Sequence, residues 1–443
     1  MAYSTVVEES TSLEKQIERN FAEARQRTLD LIAPLSDGDL YSQHDQLMSP
    51  IAWDLGHIGN FEELWGVRSL PDSGEVFPEL DEMYDAVKNP RSIRDELPLP
   101  DREKLKEYLD KIRHVVLQQL SEADLSHAKH PLLRAGFVYQ ILLQHEYQHN
   151  ETILQTLQLK RGEPYSPRLP LRELPTGNSE IGGMIEVPAG KFLMGTDLRA
   201  GVYDNERMKH PVSLDSYRIG VAPVTNEEFM RFVDAGGYRA REFWTDEGWE
   251  FIRAEDINAP KYWRQNEDGI WITSSMNYEE PVNPRRPVIH VCWHEASAFC
   301  RFAGMRLPTE SEWERAAAWD RENERALLYP WGDDSWTPDK ANLDILGWMP
   351  AEVGAYPNGV SPVGCHQMIG DVWEWVADDF QAYPGFNAFP YDEYSKIFFG
   401  SDYKVLRGGS WATRAGAIRN TFRNWDYPIR RQIFSGFRLA ADT

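Results

Sequence analysis

Residues 142–155, LLQHEYQHNETILQ, place His145 and His149 four positions apart on what reads as the inward stripe of an amphipathic helix. Four residues advance a helix by about 400°, so both imidazoles point the same way, one turn apart. The stripe Val138, Leu142, Ile153 and Leu157 runs straight through them. A bare imidazole on a core stripe must find a partner, and two facing the same way are ready ligands for a metal.

The same periodicity extends outward. Ile17, Phe21, Ala24, Thr28, Leu31 and Leu35 mark a first helix, and 48–65 (MSPIAWDLGHIGNFEELW) a second that starts near Pro50. Leu105, Tyr108, Leu109, Ile112, Val116 and Leu120 mark a third, and 132–159 the fourth. Four helices with one long connection, about residues 66–100, predict an all-α four-helix bundle, whose interior is a good place for a metal site. At 443 residues the chain exceeds the size at which one hydrophobic core keeps growing, so a second domain is expected. The boundaries read as a bundle over 1–165, a Pro/Gly-bearing linker over 166–182, and a second domain over 183–443. In that second part, short apolar runs such as MIEVPAGKFLMGT, YRIGVAPVTN, PVIHVCW, YKVLRGGSW and SGFRLA alternate with turns. Helical periodicity there is confined to 227–235, 293–303 and 309–319, which predicts an irregular α+β domain.

With 47 basic against 70 acidic side chains, the net charge of −23 argues against nucleic acid or an anionic membrane as partner. An anionic substrate would need a local arginine cluster. No run approaches 18 apolar residues, and the start, MAYSTVVEESTSLEKQ, has neither a basic nor an apolar leader segment. Cys292, Cys300 and Cys365 are odd in number and form no CxxC pair, the pattern of a reducing, cytoplasmic protein.

His57, in IAWDLGHIGNFEE, lies on the second helix among Trp53, Ile58 and Phe61, where antiparallel packing can bring it opposite His145 and His149. Three neutral imidazoles leave coordination positions open, which suits catalysis, and Asp54 and Glu151 are candidates to hold imidazole N–H groups. Spacing leaves zinc, nickel and iron(II) all open. His44, His114, His127, His130, His210, His290, His294 and His366 are scattered singles and read as ordinary polar contacts.

The bundle with His57, His145 and His149 resembles the DinB-like domain. The second half resembles the formylglycine-generating-enzyme (sulfatase-modifying factor) fold, a C-type-lectin-like scaffold. The runs that carry this are VPAGKFLMG (187–195), PVTNEEF (223–229), RLPTESEWERAA (306–317), YPWGD (329–333), GDVWEWVADDF (370–380), VLRGGSW (405–411) and GFRLA (436–440). The combination, with MSPIAWDLGHIG, HEYQHNET and FRNWDYPIRRQIFSGFRLA, resembles the ergothioneine-biosynthesis sulfoxide synthases (the EgtB family) over essentially the whole chain. Formylglycine oxidation itself is not carried over, because that chemistry uses a cysteine pair near the carboxy-terminal end and no cysteine follows Cys365. Trp373, Glu374 and Trp375, with Gly408, Gly409, Ser410 and Trp411, read as fold determinants. No EF-hand spacing marks a calcium site.

The resemblance implies a non-heme iron(II) oxidoreductase that joins hercynine, the trimethylammonium betaine of histidine, to a cysteine-containing thiol with O2, giving a carbon–sulfur bond and a sulfoxide. It assigns His57, His145 and His149 to Fe(2+), and Tyr391, with Tyr394 beside it, to proton donation. Hercynine matches Gln148, Asn424 and Trp425, whose aromatic face suits a quaternary ammonium. The thiol, expected to be γ-glutamylcysteine in preference to free cysteine, matches Arg91 and Arg94 of NPRSIRDE as a carboxylate clamp, with Asp426 and Arg430 completing the cradle. Three alternatives stand beside this reading: a DinB-type thiol transferase using zinc or nickel, a selenoneine synthase, and a ligand-binding module with a degenerate metal site. Oxygen uptake dependent on both hercynine and thiol separates the first from the synthase. The arginine pair disfavours the second, whose selenosugar needs no carboxylate clamp.

Overall fold

A computed structural model describes residues 12–443 except 72–73, 127, 161, 169–171, 199 and 277. His127 and part of the expected linker therefore lie outside the described residues. The chain divides into two compact units, Met1–Ile153 with Arg199–Gly201, and Leu154–Leu198 with Val202–Thr443.

The first unit is built on three whole helices, α1 (Leu13–Ile32), α2 (Ile51–Glu63) and α3 (Arg102–Glu122), and on α4 (Phe137–Leu159) as far as Ile153. Ser12 and Asp101 cap α1 and α3 by accepting the backbone N–H three residues on. The stripe of α1 stops at Ile32, one turn before the expected end, because Pro34 follows; Leu35 is nevertheless buried. Helix α4 begins at Phe137 rather than Leu132, since Ala135 takes a left-handed φ of 53° just before it. Twelve of the thirteen α2 residues are buried, His57 being the exception, so α2 is the central helix of the unit. It runs on into a π-helical turn, Leu64–Arg68. Among its described residues, the connection that follows carries three short helical elements, the 3-10 turn Pro78–Leu80, the helix Asp81–Tyr84 and the 3-10 turn Arg91–Glu96.

A buried charge cluster ties the four helices together. Arg25 of α1 donates to Glu62 of α2 and Glu146 of α4, both at 2.9 Å. Arg113 of α3 donates to the same two carboxylates, at 2.5 and 2.7 Å. Thr28 donates to Glu146 at 2.8 Å, and Asn150 donates to Thr28 at 2.8 Å. Each carboxylate therefore meets two guanidinium groups, which is what makes burial of four charges tolerable.

The second unit is a mixed domain of short strands and four helices, α5 (Asn226–Asp234), α6 (Asp246–Ala254), α7 (Trp293–Phe302) and α8 (Glu310–Ala318). Helix α6 is additional to the three expected. Met184–Val187, Tyr217–Gly220 and Ala440–Asp442 form one antiparallel sheet. A four-stranded sheet is ordered Asn424–Asp426, Lys404–Arg407, Trp373–Asp379, Ser435–Phe437, with only the last pair parallel. PVIHVCW forms no strand, and His290 within it has φ +64°. The WEW and RGGSW motifs are fold determinants in the expected sense. Glu374, 1% exposed, accepts from Trp313 Nε1 at 2.8 Å and twice from Arg438 at 2.6 and 2.7 Å. Gly408 has φ +89°, and a Cβ there would lie 2.5 Å from the Met368 carbonyl oxygen.

Candidate active site

Within the first unit, α2 and α4 bring His57, His145 and His149 together, with one nitrogen from each ring within 4.8 Å of the others. This is the only such group of histidine, cysteine and carboxylate side chains among the described residues. Three different devices orient the rings. His57 Nδ1 pairs with the Tyr84 carbonyl at 2.8 Å, which leaves Nε2 as the ligand atom. Asp54, buried on the turn of α2 preceding His57, brings Oδ1 to 3.5 Å from His149 Nδ1. His145 has no hydrogen-bond partner among the described residues; the Phe61 ring stacks on it instead, with centroids 3.8 Å apart and planes 9° from parallel. Glu151, the other candidate for holding an imidazole, is buried on α4.

Burial pushes His57 down to about 3, helped by the neighbouring His149 and opposed by the Tyr84 carbonyl. Burial and the other two histidines hold His145 well below the ordinary imidazole value. These rings are neutral at neutral pH, the form that binds a metal. His57, His145 and His149 would hold one metal ion between them. The donor set fits a metal with open positions.

Local sequence explains why the site forms here. Tyr84 can lie against α2 only because residue 56 is glycine: a Cβ there would come within 2.0 Å of the Tyr84 ring. Trp53, one turn before His57, stacks on it at 4.9 Å and 13°, and Arg94 Cζ lies over the Trp53 ring, 3.5 Å from its centroid. Arg94 is buried and already donates to Asn89 O, Ser49 Oγ and Ala86 O, so two of its five N–H donors remain. Arg91 is exposed at the start of the same turn, and Gln148 is partly buried between the two ligands of α4.

In the second unit, Asn424, Trp425 and Asp426 form the edge strand of the four-stranded sheet, so Asn424 and Asp426 share one face and Trp425 takes the other. Trp425 stacks on Phe380 at 4.2 Å and 8°, and Tyr394 meets it edge-on at 5.8 Å. Tyr391 packs edge-on against Tyr394 at 6.3 Å. Burial, with Tyr203 and Asp204 nearby, pushes the Tyr391 hydroxyl well above the ordinary phenol value, so it stays protonated. Asp426 Oδ1 accepts from Arg430 Nε at 3.1 Å, while Arg430 Nη1 is buried without a hydrogen-bond partner among the described residues. The orienting groups Tyr84 and Phe61 were not assigned from sequence. Phe61 offered one signal, its four-residue spacing from His57 on the same helix face.

Residues 20–153 match the DinB superfamily model, and residues 172–443 match the sulfatase-modifying factor enzyme 1-like domain. The chain is similar to a hercynine oxygenase of Mycolicibacterium thermoresistibile, 43% identical over 436 residues and covering 96% of this chain and 95% of that one. A hercynine oxygenase of Mycobacterium tuberculosis is 41% identical over 434 residues, covering 97% and 99%. The inactive C-alpha-formylglycine-generating enzyme 2 of Bos taurus is 32% identical over 311 residues, covering 61% of this chain and 91% of its own length. No helix among the described residues is long and apolar enough to cross a membrane. By domain order and end-to-end identity, the chain belongs to the hercynine oxygenase family.

Proposed function

We infer that this chain is an O2-dependent hercynine oxygenase of ergothioneine biosynthesis, with His57, His145 and His149 holding iron(II) and γ-glutamylcysteine as the thiol. The observation that carries this is the three-histidine cluster in a chain about 43% identical, end to end, to hercynine oxygenases. The balanced reaction joins the imidazole carbon of hercynine, which loses its hydrogen, to the thiol sulfur. One oxygen atom becomes the sulfoxide and the other leaves as water. Iron(II) supplies the one-electron chemistry that O2 requires and zinc cannot provide.

The chain's own residues do the rest. Tyr391, protonated at neutral pH, delivers a proton during oxygen reduction. The Trp425 ring receives the trimethylammonium group, a contact worth about 0.5–2 kcal/mol, with Asn424 and Gln148 supplying polar contacts. Arg430 Nη1, without a hydrogen-bond partner among the described residues, supports a contact to one carboxylate of the thiol, aligned by Asp426. Arg91 and the two remaining donors of Arg94 supply the thiol's second carboxylate contact. Tyr394 orders Tyr391 and Trp425 through its ring edges.

The test is to load the protein with iron(II) anaerobically, then admit air with hercynine and either γ-glutamylcysteine or cysteine, following O2 uptake and product mass. Uptake that needs hercynine and thiol together, with a sulfoxide product, is the expected result. Zinc- or nickel-dependent thiol transfer without O2 uptake would overturn it. Within this reading, Tyr391→Phe should keep iron and substrates but divert O2 to the thiol, giving sulfinate (RSH + O2 → RSO2H).

A further inference from the structure

The segment from Phe389 to Phe399, which carries Tyr391 and Tyr394, belongs to no sheet and contains only two short 3-10 turns, Asp392–Tyr394 and Lys396–Phe398. Side chains from elsewhere must set its geometry. Asp204, 1% exposed, reaches both ends of the part that matters: Oδ2 accepts the Phe389 N–H at 3.1 Å, and Oδ1 accepts the Ser395 hydroxyl at 2.5 Å. Asn205 Nδ2 also donates to Ser395 Oγ, at 3.1 Å. The two anchor points, 389 and 395, bracket both tyrosines. Next to Asp204, Tyr203 stacks its ring on Tyr394 at 4.2 Å and 14°.

The turn that provides these groups is itself fixed. Glu206 receives Arg419 Nε at 2.8 Å and Thr421 Oγ1 at 2.6 Å, while Arg423 Nη1 donates to the Asn205 carbonyl at 2.8 Å. Residues 203–206 thus form a platform bolted to the core on one side and gripping the tyrosine segment on the other. A carboxylate suits the gripping position because it alone accepts at two separated oxygens without donating.

We propose that Asp204, acting with Ser395 and the Tyr203 ring, is the positioning element that holds Tyr391 and Tyr394 in place for proton delivery. The proposal rests on the reading of Tyr391 as proton donor. A donor displaced by about 1 Å loses its advantage steeply, so loosening the staple should let thiol oxidation compete with carbon–sulfur bond formation.

The experiment measures the ratio of sulfoxide to sulfinate at saturating hercynine and γ-glutamylcysteine, with bound iron and thermal midpoint recorded for each variant. Asp204→Asn and Ser395→Ala should lower the ratio about tenfold, with the KM for hercynine changed less than about twofold. Ser395→Thr, which keeps the hydroxyl, should stay near the parent ratio. If Asp204→Asn and Ser395→Ala reduce both products in proportion, the staple is merely structural and the proposal falls. It falls equally if Tyr391→Phe shifts the ratio while both staple variants leave it unchanged. If Tyr391→Phe itself leaves the ratio unmoved, the donor reading fails first, and that result is distinguishable from the other two.

Discussion

Replacing Gly56 with alanine tests the account of the metal site most sharply, because two simple expectations predict opposite signs. On helix propensity alone, Gly→Ala in the middle of α2 should stabilise the protein by up to about 1 kcal/mol. The packing says otherwise. The added Cβ would lie 2.0 Å from Tyr84 Cζ, 2.1 Å from Cε1 and 2.4 Å from the hydroxyl oxygen, against ordinary contacts of about 3.5–4 Å. Relief requires a movement of about 1.5 Å by a ring that is fully buried and lies nearly parallel to Tyr108, with centroids 6.1 Å apart. Overpacking of this kind costs about 1–3 kcal/mol, so apo stability should fall despite the propensity gain. The displaced residue also carries the carbonyl that holds His57 Nδ1 at 2.8 Å, and a shift of about 0.7 Å takes that bond to the limit of hydrogen-bond length. Loss of an orienting partner lowers metal affinity about 10–100-fold. Thermal unfolding of the metal-free protein and a cobalt(II) absorption titration read the two effects separately. An apo protein as stable as the parent, or stabler, with unaltered cobalt affinity would refute the reasoning.

Two other predictions concern charge. Burial alone would raise the Glu146 carboxyl, but Arg25, Arg113 and the hydrogen bonds from Arg25 and Thr28 outweigh it and hold the group near 2. A folded value below the unfolded one, about 4.5, means that this stabilisation is complete above pH 4.5 and fades as pH falls towards 2. Glu146→Gln should therefore cost about 3–5 kcal/mol at pH 7, and the gap to the parent in urea unfolding should narrow below pH 4.5; a gap constant with pH contradicts the assignment. Arg430→Lys replaces a fork by a point charge, so the KM for γ-glutamylcysteine should rise about tenfold with kcat little altered. A fall in kcat at unchanged KM would remove Arg430 from ground-state binding.

Much of this molecule could be read from spacing. The apolar stripes have the 3.6-residue period and put His145 and His149 on one inward face, so packing could bring His57 opposite them; the resemblance to the EgtB family is what assigned all three to one metal. The charge cluster left a weaker trace. Arg25 follows Phe21 by four residues and Arg113 follows Leu109 by four, which puts each on a core stripe where a cation demands a carboxylate. Which carboxylate answers depends on three-dimensional packing. Helix α6 was missed because its nine residues bury only Gly248 and Ile252, too few to impose a period. Ring stacks such as Phe61 on His145 depend on side-chain rotation, about which spacing is silent. The Asp204 staple joins residues more than 180 positions apart, and neither strand nor helix periodicity links them.

The HEYQH segment also shows why the site and the bundle cannot vary independently. Positions 145 and 149 of α4 form one stripe, and positions 146 and 150 form the next, rotated by about 100°. The first stripe meets His57. The second meets Arg25, Arg113 and Thr28, with Glu146 and Asn150 closing the hydrogen-bond chain. On α2 the pattern repeats: Phe61 stacks on His145 while its neighbour Glu62 takes the two arginines. Sliding α4 along α2 by one turn, about 5.4 Å, would therefore pull Glu146 from the arginines it shares with Glu62 and move both α4 histidines from His57 by the same distance. The cluster fixes the register of α2 against α4, and that register sets the spacing of the three imidazoles. A buried charge network that contributes modest net stability can thus still be what makes the metal site a single geometry rather than several.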